Sequence, residues 1–512
     1  MLSLCLGACG TLSFSPFDIW PTAIISIIGL NYLIINKSNT EGFFIALWWG
    51  IGLFGFGINW IYISIIYYTN ISYSLGVIII TVLIIYLSLY PGIFAYIINT
   101  YYKKCNIYRL LFASPVIWHI TEYLRGIILT GFPWLQFGYT QIDGPLKNIA
   151  PLFGVEMITI TMVIISNSLI LSIKEKKVIY VIFGIIILII PKIIMNYKWI
   201  TPLNDKKIHL VLVQGNIDQN IKWQKNYLFN NINTYIKLSK PYFNLNKIIV
   251  WPESAIVINE ADISSWLKYF DKMLKIHNTV LITGIITTNN IKNENINFFN
   301  SIISLGNEIA YNYQTNNRYY KHHLVPFGEY IPFHVILKSI FKNINIPMSN
   351  FINGKYKQKQ LIAGKFKLTP SICYESILGN QIKDNFKPNT DFILTITNDA
   401  WFRDSHGPWQ HLQMTRMRAL ELGRPLVQAS NNGITAIIKP NGDIQNKIPQ
   451  FKRTVLIDEL IPTTGITPFS YYGNLPTSIF LSILFLFSMK NIISIKNKKI
   501  ISKNKNITFL KF

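Results

Sequence analysis

Three residues of this chain could together carry nucleophilic chemistry. Cys373 lies in "LTPSICYESILG" and is the only cysteine beyond residue 106. A thiol is only slightly ionised at neutral pH, so it needs a nearby base, and the oxyanion formed by its attack needs a positive group. Glu253 in "VWPESAI" could accept the proton, and Lys321 in "NNRYYKHHLVPFGEYIPF" could supply the charge. The thioester that forms would retain enough transfer potential to acylate an amine without ATP.

Each of these residues, taken singly, also fits a structural role. Cys373 could be a buried thiol in a hydrophobic core. Glu253 could be a solvated carboxylate at the end of a strand, and Lys321 a surface charge next to Arg318. Only the combination of the three favours catalysis.

Short apolar runs of β type lead into the candidate residues and alternate with helical stretches. Such alternation predicts an α/β domain whose strands are buried on both faces. Chemistry in these domains usually sits at strand ends, where Glu253, Cys373 and Asp399 lie. The predicted strands are 208–217, 247–254, 279–286, 369–376 and 391–402.

The composition indicates a membrane protein. Half of the 512 residues are hydrophobic and only 14% are charged, which is too apolar for an ordinary soluble enzyme. The net charge of +24 accompanies a general abundance of Lys, Asn and Ile, and no nucleic-acid-binding motif goes with it. We therefore expect a membrane as partner and no nucleic acid.

Several apolar runs are long enough to cross a bilayer, which takes about 20 residues per helix. A further run at 2–13 is shorter and weaker. Lys and Arg gather in alternate loops and in the C-terminal tail, whereas the loops near 14–18 and 68–73 contain none. This alternation predicts cytoplasmic termini and places 197–473 on the outer face of the membrane. The long runs are 18–36, 42–67, 74–100, 108–130, 151–173, 178–196 and 474–493.

Longer motifs connect these observations to known families. Glu in W-P-E-S, Lys before H-H-L-V-P-F-G-E and Cys in I-C-Y-E, in that order, resemble the Glu–Lys–Cys triad of the nitrilase (carbon–nitrogen hydrolase) superfamily. Over nearly its full length the chain resembles the membrane-bound apolipoprotein N-acyltransferase family. The motifs that carry this likeness are 14–21, 131–146, 321–332, 397–402 and 424–438.

The resemblance implies a fold and a location. It adds the run at 2–13 to the membrane helices, giving an α-helical bundle of about eight, together with an α/β nitrilase-like αββα sandwich. The bacterial cytoplasmic (inner) membrane would hold the chain, with the catalytic domain facing the periplasm. The expected division is a bundle of seven helices at 1–196, the catalytic domain at 197–473, a final helix at 474–493 and a basic cytoplasmic tail at 494–512.

The resemblance also implies a reaction in two steps. A phospholipid acyl donor would transfer its chain, typically from the sn-1 position of phosphatidylethanolamine or phosphatidylglycerol, to Cys373. The α-amino group of a diacylglyceryl apolipoprotein would then accept the chain. No cofactor is expected, since the sequence contains neither GxxxxGK[ST] nor HExxH. No metal is expected either, because the adjacent His322 and His323 lack the spacing of metal ligands.

Supporting residues follow from the same likeness. Glu329 and Glu375 would position the lysine and organise the site, with a structural salt bridge as the alternative. Tyr374 would support the oxyanion side or pack. Trp223 and Trp401 would line the entrance for the acyl chain, because indole suits a lipid interface; plain packing is the alternative.

One polar group lies inside a predicted membrane helix. His119, Glu122 and Arg125 are spaced by three residues and share a helix face. Ionisable groups within a span are expensive and often functional. They would either recruit a lipid headgroup or a lipoprotein, or form an interfacial patch.

Two other functions use the same features differently. A membrane-anchored amidase of nitrilase type would hydrolyse a small amide with the same triad, but one anchoring helix would suffice for it. A transporter with an inert outer domain would show internal repeats or broken helices, and the sequence shows no such repeat.

Overall fold

The computed structural model describes residues 1–68, 72–194, 198–288, 297–326, 328–330 and 351–490. The chain divides into two compact units. The first comprises Met1–Asn59, Ile78–Tyr197 and Tyr472–Phe512, and the second Trp60–Val77 and Lys198–Tyr471. The predicted basic tail at 494–512 and the end of the predicted final helix lie outside the described residues.

Helices make up the first unit and flank the sheets of the second. In chain order they are α1 (Leu2–Thr11), α2 (Pro21–Leu33), α3 (Asn39–Gly57), α4 (Ile61–Tyr68), α5 (Tyr73–Tyr101), α6 (Ser114–Arg125), α7 (Ala150–Glu175), α8 (Ile179–Ile194), α9 (Gln219–Lys222), α10 (Leu228–Ser239), α11 (Ser264–Ile276), α12 (Gly379–Asn385), α13 (Gly407–Leu422), α14 (Pro468–Tyr472) and α15 (Leu475–Lys490).

Three helical segments in the described part of the chain are long and apolar enough to cross a membrane. They are Asn39–Gly57, Tyr73–Tyr101 and Lys147–Glu175. Four shorter apolar helices, α1, α2, α8 and α15, accompany them. The count of about eight spans is therefore not confirmed, because several predicted runs form helices shorter than a bilayer requires.

The predicted run 42–67 is divided between the two units. The run 42–67 forms α3 and then α4, with a break between them, and α4 belongs to the second unit. Within that unit, the Trp60 indole donates to Oε1 of Gln410 at 3.1 Å, and the Tyr68 hydroxyl donates to the carbonyl of Ala400 at 3.0 Å. These hydrogen bonds explain why 60–77 groups with the second unit, although the sequence suggested the bundle.

The second unit contains the strands. They are β1 (Ile200–Pro202), β2 (Ile208–Gln214), β3 (Ile248–Val250), β4 (Ile256–Asn259), β5 (Val280–Thr288), β6 (Phe298–Leu305), β7 (Arg318–Tyr320), β8 (Leu361–Ala363), β9 (Phe366–Ile372), β10 (Phe392–Thr397), β11 (Leu426–Ser430), β12 (Thr435–Ile438), β13 (Ile444–Ile448), β14 (Thr454–Leu460) and β15 (Thr463–Gly465). Over the described residues, one large sheet has the order β14-β2-β3-β5-β6-β7 with β4 beside β5, and the other has the order β13-β12-β11-β10-β9-β8.

The two large sheets pack face to face between layers of helices. In β2, Leu210 and Leu212 point into the core between the sheets, whereas Val211 and Val213 point into a second core with α10 and α11. This alternation is the period of two that a strand imposes. The other sheet packs its outer face against α12 and α13. The layers therefore follow the order α-β-β-α, which the family resemblance implied.

Parallel strands gather the candidate residues at their carboxyl ends. β2, β3 and β5 are parallel neighbours in one sheet, and β9, β10 and β11 in the other. Glu253 follows β3, Cys373 follows β9 and Asp399 follows β10. Lys321 follows β7, which pairs with β6 in antiparallel fashion. These residues are far apart in the sequence, and the strands bring them to the same end of the two sheets.

Candidate active site

The ammonium of Lys321 lies between two buried carboxylates. Its Nζ is 3.4 Å from Oε1 of Glu253 and 2.8 Å from Oε2 of Glu329. The main-chain N–H of Val325 also donates to Oε2 of Glu329, at 2.9 Å. Burial acts to lower the pKa of Lys321, but the charges of Glu329 and Glu253 outweigh it and raise that pKa above its usual value. Lys321 is therefore a fixed cation.

Asn300 joins the same two carboxylates from β6. Its Nδ2 donates to Oε1 of Glu253 at 2.7 Å and to Oε1 of Glu329 at 3.0 Å. The main-chain carbonyl of Asn300 accepts from the N–H of Lys321 at 2.8 Å. The sequence offered no signal for this residue, since it is one of many asparagines in its region and belongs to none of the motifs.

A tight turn presents Glu253. The next residue, Ser254, has a φ of +48°, in the left-handed region that most residues avoid. Gly284 of β5 lies directly against this turn, where an added Cβ would be 2.5 Å from the main-chain nitrogen of Ser254 and 2.8 Å from Cα of Glu253. The missing side chain at Gly284 thus allows the turn to approach the strand.

Cys373 is the first residue after β9 and carries backbone strain. Its φ is +52°, a conformation that costs a non-glycine residue about 1 kcal/mol or more. It is partly exposed and packs against the core between the sheets. Burial and the charge of Glu253 raise the pKa of the thiol, whereas the charge of Lys321 lowers it. At neutral pH the thiol is therefore protonated, so a nucleophilic role would require a base.

Glu375 accepts hydrogen bonds from the main chain next to Cys373 and next to Lys321. It is fully buried, and burial raises its pKa, although the hydrogen bonds it accepts act in the opposite direction. Its donors come from the end of β9, from β7, from the segment after Lys321 and from α12. They are the main-chain N–H groups of Ile372 at 2.8 Å, His322 at 2.7 Å and His323 at 3.1 Å, the Tyr319 hydroxyl at 3.0 Å and Nε2 of Gln381 at 2.7 Å.

A buried Asp–His pair contacts the main chain at Cys373. Nδ1 of His411 lies 3.1 Å from Oδ1 of Asp399, and its Nε2 lies 3.2 Å from the main-chain carbonyl of Cys373. The same Nε2 is 2.8 Å from Oγ of Ser376. The sequence pointed to Asp399 as a strand-end residue but gave no role to His411.

The aromatic candidates lie in apolar surroundings. Trp223 packs against a cluster that contains Leu324 and Phe351. The ring of Trp401 lies edge-on to that of Tyr68, with 5.1 Å between centroids. Both indoles are partly exposed, so these contacts fit packing and a lipid entrance alike, and the entrance role stays a prediction.

Tyr374 stacks on a histidine beside the site. Its ring lies 5.5 Å from that of His323 with an interplanar angle of 19°. Burial and the charge of Lys321 lower the pKa of His323 to about 4, so this imidazole is neutral at physiological pH. Within the described ranges, no group of three or more His, Cys, Asp and Glu residues is arranged to hold a metal ion.

The polar group of the first unit, His119, Glu122 and Arg125, makes contacts within that unit. His119 lies 3.8 Å from Glu156, and Arg125 lies 3.7 Å from Glu122. Arg125 also donates to the main-chain carbonyls of Phe132 at 2.7 Å and of Trp134 at 2.6 Å. Arg125 is therefore a structural clamp, whereas recruitment of a headgroup by the other two residues stays open.

Comparison with known proteins matches both units. The family model described as apolipoprotein N-acyltransferase N-terminal domain matches residues 6–168, and the one described as carbon-nitrogen hydrolase matches residues 210–465.

Several relatives match over almost the whole chain. An apolipoprotein N-acyltransferase of Wigglesworthia glossinidia brevipalpis is 43% identical and covers 98% of this chain and 99% of its own. Those of Vibrio parahaemolyticus and Haemophilus influenzae are each 39% identical and cover 92% and 95% of this chain and 93% of their own. Because the likeness includes the helical unit, a soluble amidase attached to a single anchor is not favoured. The chain belongs to the apolipoprotein N-acyltransferase family, which makes it an acyltransferase of the carbon–nitrogen hydrolase superfamily.

Proposed function

We propose that this chain N-acylates the N-terminal diacylglyceryl-cysteine of apolipoproteins with an acyl chain from a phospholipid, through a thioester on Cys373. One observation carries the assignment of residues. A permanently charged Lys321 lies against the carboxylate of Glu253, and both charges act on the thiol of Cys373. A base, a cation and a nucleophile are thus assembled at the edge of one domain.

The first half-reaction forms the thioester. Glu253 accepts the thiol proton while Sγ of Cys373 attacks the ester carbonyl carbon of the phospholipid. The negative charge that develops on the carbonyl oxygen is stabilised by the Lys321 ammonium. The carbon–oxygen bond of the ester then breaks, and the leaving alkoxide takes the proton from Glu253. A lysophospholipid departs and the acyl chain remains on sulfur.

The second half-reaction transfers the chain to nitrogen. The α-amino group of the diacylglyceryl-cysteine attacks the thioester carbonyl, and Glu253 accepts a proton from the amine. The carbon–sulfur bond breaks, and the thiolate regains a proton from Glu253. The products are an amide and a free Cys373, so no oxidant, metal or nucleotide enters the balance.

The surroundings of the reaction belong to the same proposal. Both substrates are lipids, so holding the catalytic unit at a membrane raises the effective substrate concentration. The chain would lie in the bacterial inner membrane as a multi-pass protein, with about eight helices and a periplasmic catalytic unit. Phosphatidylethanolamine or phosphatidylglycerol would donate the sn-1 chain, and Trp223 and Trp401 would flank its entrance.

Labelled phospholipid tests the nucleophile. Detergent-solubilised protein incubated with an acyl-labelled phospholipid should acquire a hydroxylamine-sensitive label, and a diacylglyceryl peptide should then receive it as a stable amide. Cys373→Ala should abolish both products, whereas Cys105→Ala, a matched cysteine in the first unit, should leave both unchanged. Label on the Cys373→Ala protein would refute the assignment. Release of free fatty acid without transfer to the peptide would instead indicate a hydrolase.

A further inference from the structure

Lys222 is a second buried lysine next to the catalytic residues. Only 1% of its surface is exposed, and its Nζ donates to the main-chain carbonyl of Glu253 at 3.0 Å. Within the part of the chain that the structure describes, Lys222 makes no ion pair with a carboxylate, in contrast to Lys321, which contacts two. A buried ammonium that lacks an ion-pair partner is costly, so its retention calls for a reason.

Neighbouring elements hold Lys222 in place. It is the last residue of α9, whose N-cap Asp218 accepts from the N–H of Asn220 at 2.8 Å. From α10, Nδ2 of Asn231 donates to the main-chain carbonyl of Lys222 at 3.2 Å. The main chain and the ammonium are therefore both anchored, and the ammonium reaches the turn that presents Glu253.

The charges around the site give this ammonium a task. Three buried carboxylates, those of Glu253, Glu329 and Glu375, lie around Lys321. Lys321 offsets only one of these negative charges. A second cation beside Glu253 offsets another, and it also favours negative charge on the sulfur and on the oxyanion.

We propose that Lys222 is a positioning residue and the second cation of this active site: it fixes the main chain of Glu253 and stabilises the negative charge that develops at Cys373. The inference rests on the proposed function for its catalytic consequence. Its effect on the thiol does not depend on any substrate.

The titration of Lys222 supplies a distinctive readout. Burial lowers its pKa to about 8, while Glu253 and Cys373 act to raise it. Those two titratable groups act on Lys222 from the segments that follow β3 and β9. Lys321 contacts both Glu253 and Glu329. Asp218 is the N-cap of α9, the helix that Lys222 ends. The positive charge of Lys222, and the stabilisation that it provides, should be present below pH 8 and should disappear as the pH rises through that value.

Single-turnover acylation tests the inference. Thioester formation by Lys222→Met should be slower than that of the wild type by on the order of 10- to 100-fold at neutral pH, because the turn that presents Glu253 loses its anchor and its charge. The ratio of wild-type to Lys222→Met rates should fall above pH 8, where the neutral amine keeps its hydrogen bond to Glu253 but no longer supplies a charge. Lys222→Arg keeps its charge at all these pH values, so it should recover activity. Its rate advantage over Lys222→Met should not decrease near pH 8. Lys237→Met, at an exposed lysine of α10, should behave as the wild type.

Three outcomes would overturn the inference. A ratio that is constant across pH would leave Lys222 with a purely structural role, and equal rates would leave it with none. Alkylation of Cys373 by iodoacetamide is a second test that does not depend on acyl transfer. If Lys222→Met folds poorly, Lys222→Gln takes its place. Lys222→Met, or Lys222→Gln in its place, should slow the alkylation of Cys373 at pH 7, where Lys222 is charged, and should change it much less above pH 8. An unchanged alkylation rate at pH 7 would refute the inference, whether or not the wild type forms a thioester. Failure of the wild type to form a thioester would refute the proposed function and leave the alkylation test of Lys222 unaffected.

Discussion

Two opposite charges act on the Cys373 thiol, and each can be removed separately. Glu253 raises the pKa of the Cys373 thiol and Lys321 lowers it, on top of the increase caused by burial. A base that also repels the thiolate is useful only if it takes the proton, because the repulsion then disappears at the moment when sulfur becomes negative. The two residues should therefore have opposite effects on the free thiol and the same effect on acyl transfer.

The first prediction separates these effects. Glu253→Gln should shift the pH midpoint of Cys373 alkylation downward, because the repelling charge is lost. Lys321→Met should shift it upward, because the attracting charge is lost. Both variants should form thioester far more slowly than the wild type. Alkylation is measured by mass spectrometry in a background in which Cys5, Cys9 and Cys105 are alanine.

The control is the variant in which Cys5, Cys9 and Cys105 are alanine and no other residue is changed. A midpoint that moves in the same direction in both variants would contradict the assigned charges. A Glu253→Gln variant that forms thioester at the wild-type rate would show that another group accepts the proton.

The second prediction concerns the carboxylate of Glu375. Both of its oxygens accept hydrogen bonds, Oε2 from the N–H of Ile372 and Oε1 from the N–H groups of His322 and His323. Glu375→Gln would direct an amide NH₂ at one of these buried donors, and each unsatisfied group costs about 1–3 kcal/mol. The thermal midpoint of the solubilised protein should fall, and thioester formation should fall with it.

A glutamate without buried partners provides the comparison. Glu308 is exposed, and Glu308→Gln should change neither the thermal midpoint nor the rate. An unchanged thermal midpoint in Glu375→Gln would mean that the hydrogen bonds to Glu375 do not stabilise the turn at Cys373.

At the scale of elements, the distance between β5 and the Glu253 turn sets the position of the base. A Cβ added at Gly284 would lie against three main-chain atoms of this turn: the nitrogen of Ser254, the carbonyl oxygen of Pro252 and Cα of Glu253. Main-chain atoms cannot rotate away as the end of a flexible side chain can. A side chain at this position must therefore move the strand or the turn.

The third prediction follows from this contact. Gly284→Ala should displace Glu253 and slow thioester formation by on the order of 100-fold, the usual cost of misplacing a catalytic group by about 1 Å. Gly55→Ala is the matched control, because an added Cβ at Gly55 meets nothing within 4 Å. Rates are compared in a single turnover with labelled phospholipid. Wild-type rates in Gly284→Ala would mean that the turn tolerates a shift of the strand.

The sequence could predict what lies within one element. The alternating and apolar runs placed β2, β5, β9 and β10, and the polar ends of such runs pointed to Glu253 and Cys373. The αββα order came from the family likeness, since strand patterns alone do not say how two sheets stack. These successes depend on local periodicity and on long motifs.

Contacts between distant elements could not be read in the same way. Asn300 reaches both carboxylates only because β6 pairs with β5 and β7 in a given register. Lys222 looked like one of many lysines, since nothing in "IKWQ" reveals that its ammonium is buried. The segment 60–77 reads as part of a membrane run, and its grouping with the second unit depends on partners more than 300 residues away, such as Gln410.

At the scale of the whole molecule, the reaction requires a particular orientation in the membrane. Diacylglyceryl lipoproteins would present their amine at the outer leaflet, so a catalytic unit on the inner side could not reach them. The distribution of lysines predicts that the loop around 103–109 is cytoplasmic and that the second unit is periplasmic.

The last prediction tests this orientation with two engineered cysteines. Lys104 lies in the basic loop after α5, and Asn312 lies in the second unit; both are exposed. In a background without Cys5, Cys9 and Cys105, Asn312→Cys should react with a membrane-impermeant maleimide once the outer membrane is opened. Lys104→Cys should react only after the inner membrane is lysed, because positively charged loops are retained in the cytoplasm. Each position controls for the other, since reaction at both before lysis would mean leaky cells. If Lys104→Cys reacts first and Asn312→Cys stays protected, the orientation is inverted, and the proposed transfer to lipoproteins at the outer leaflet fails with it.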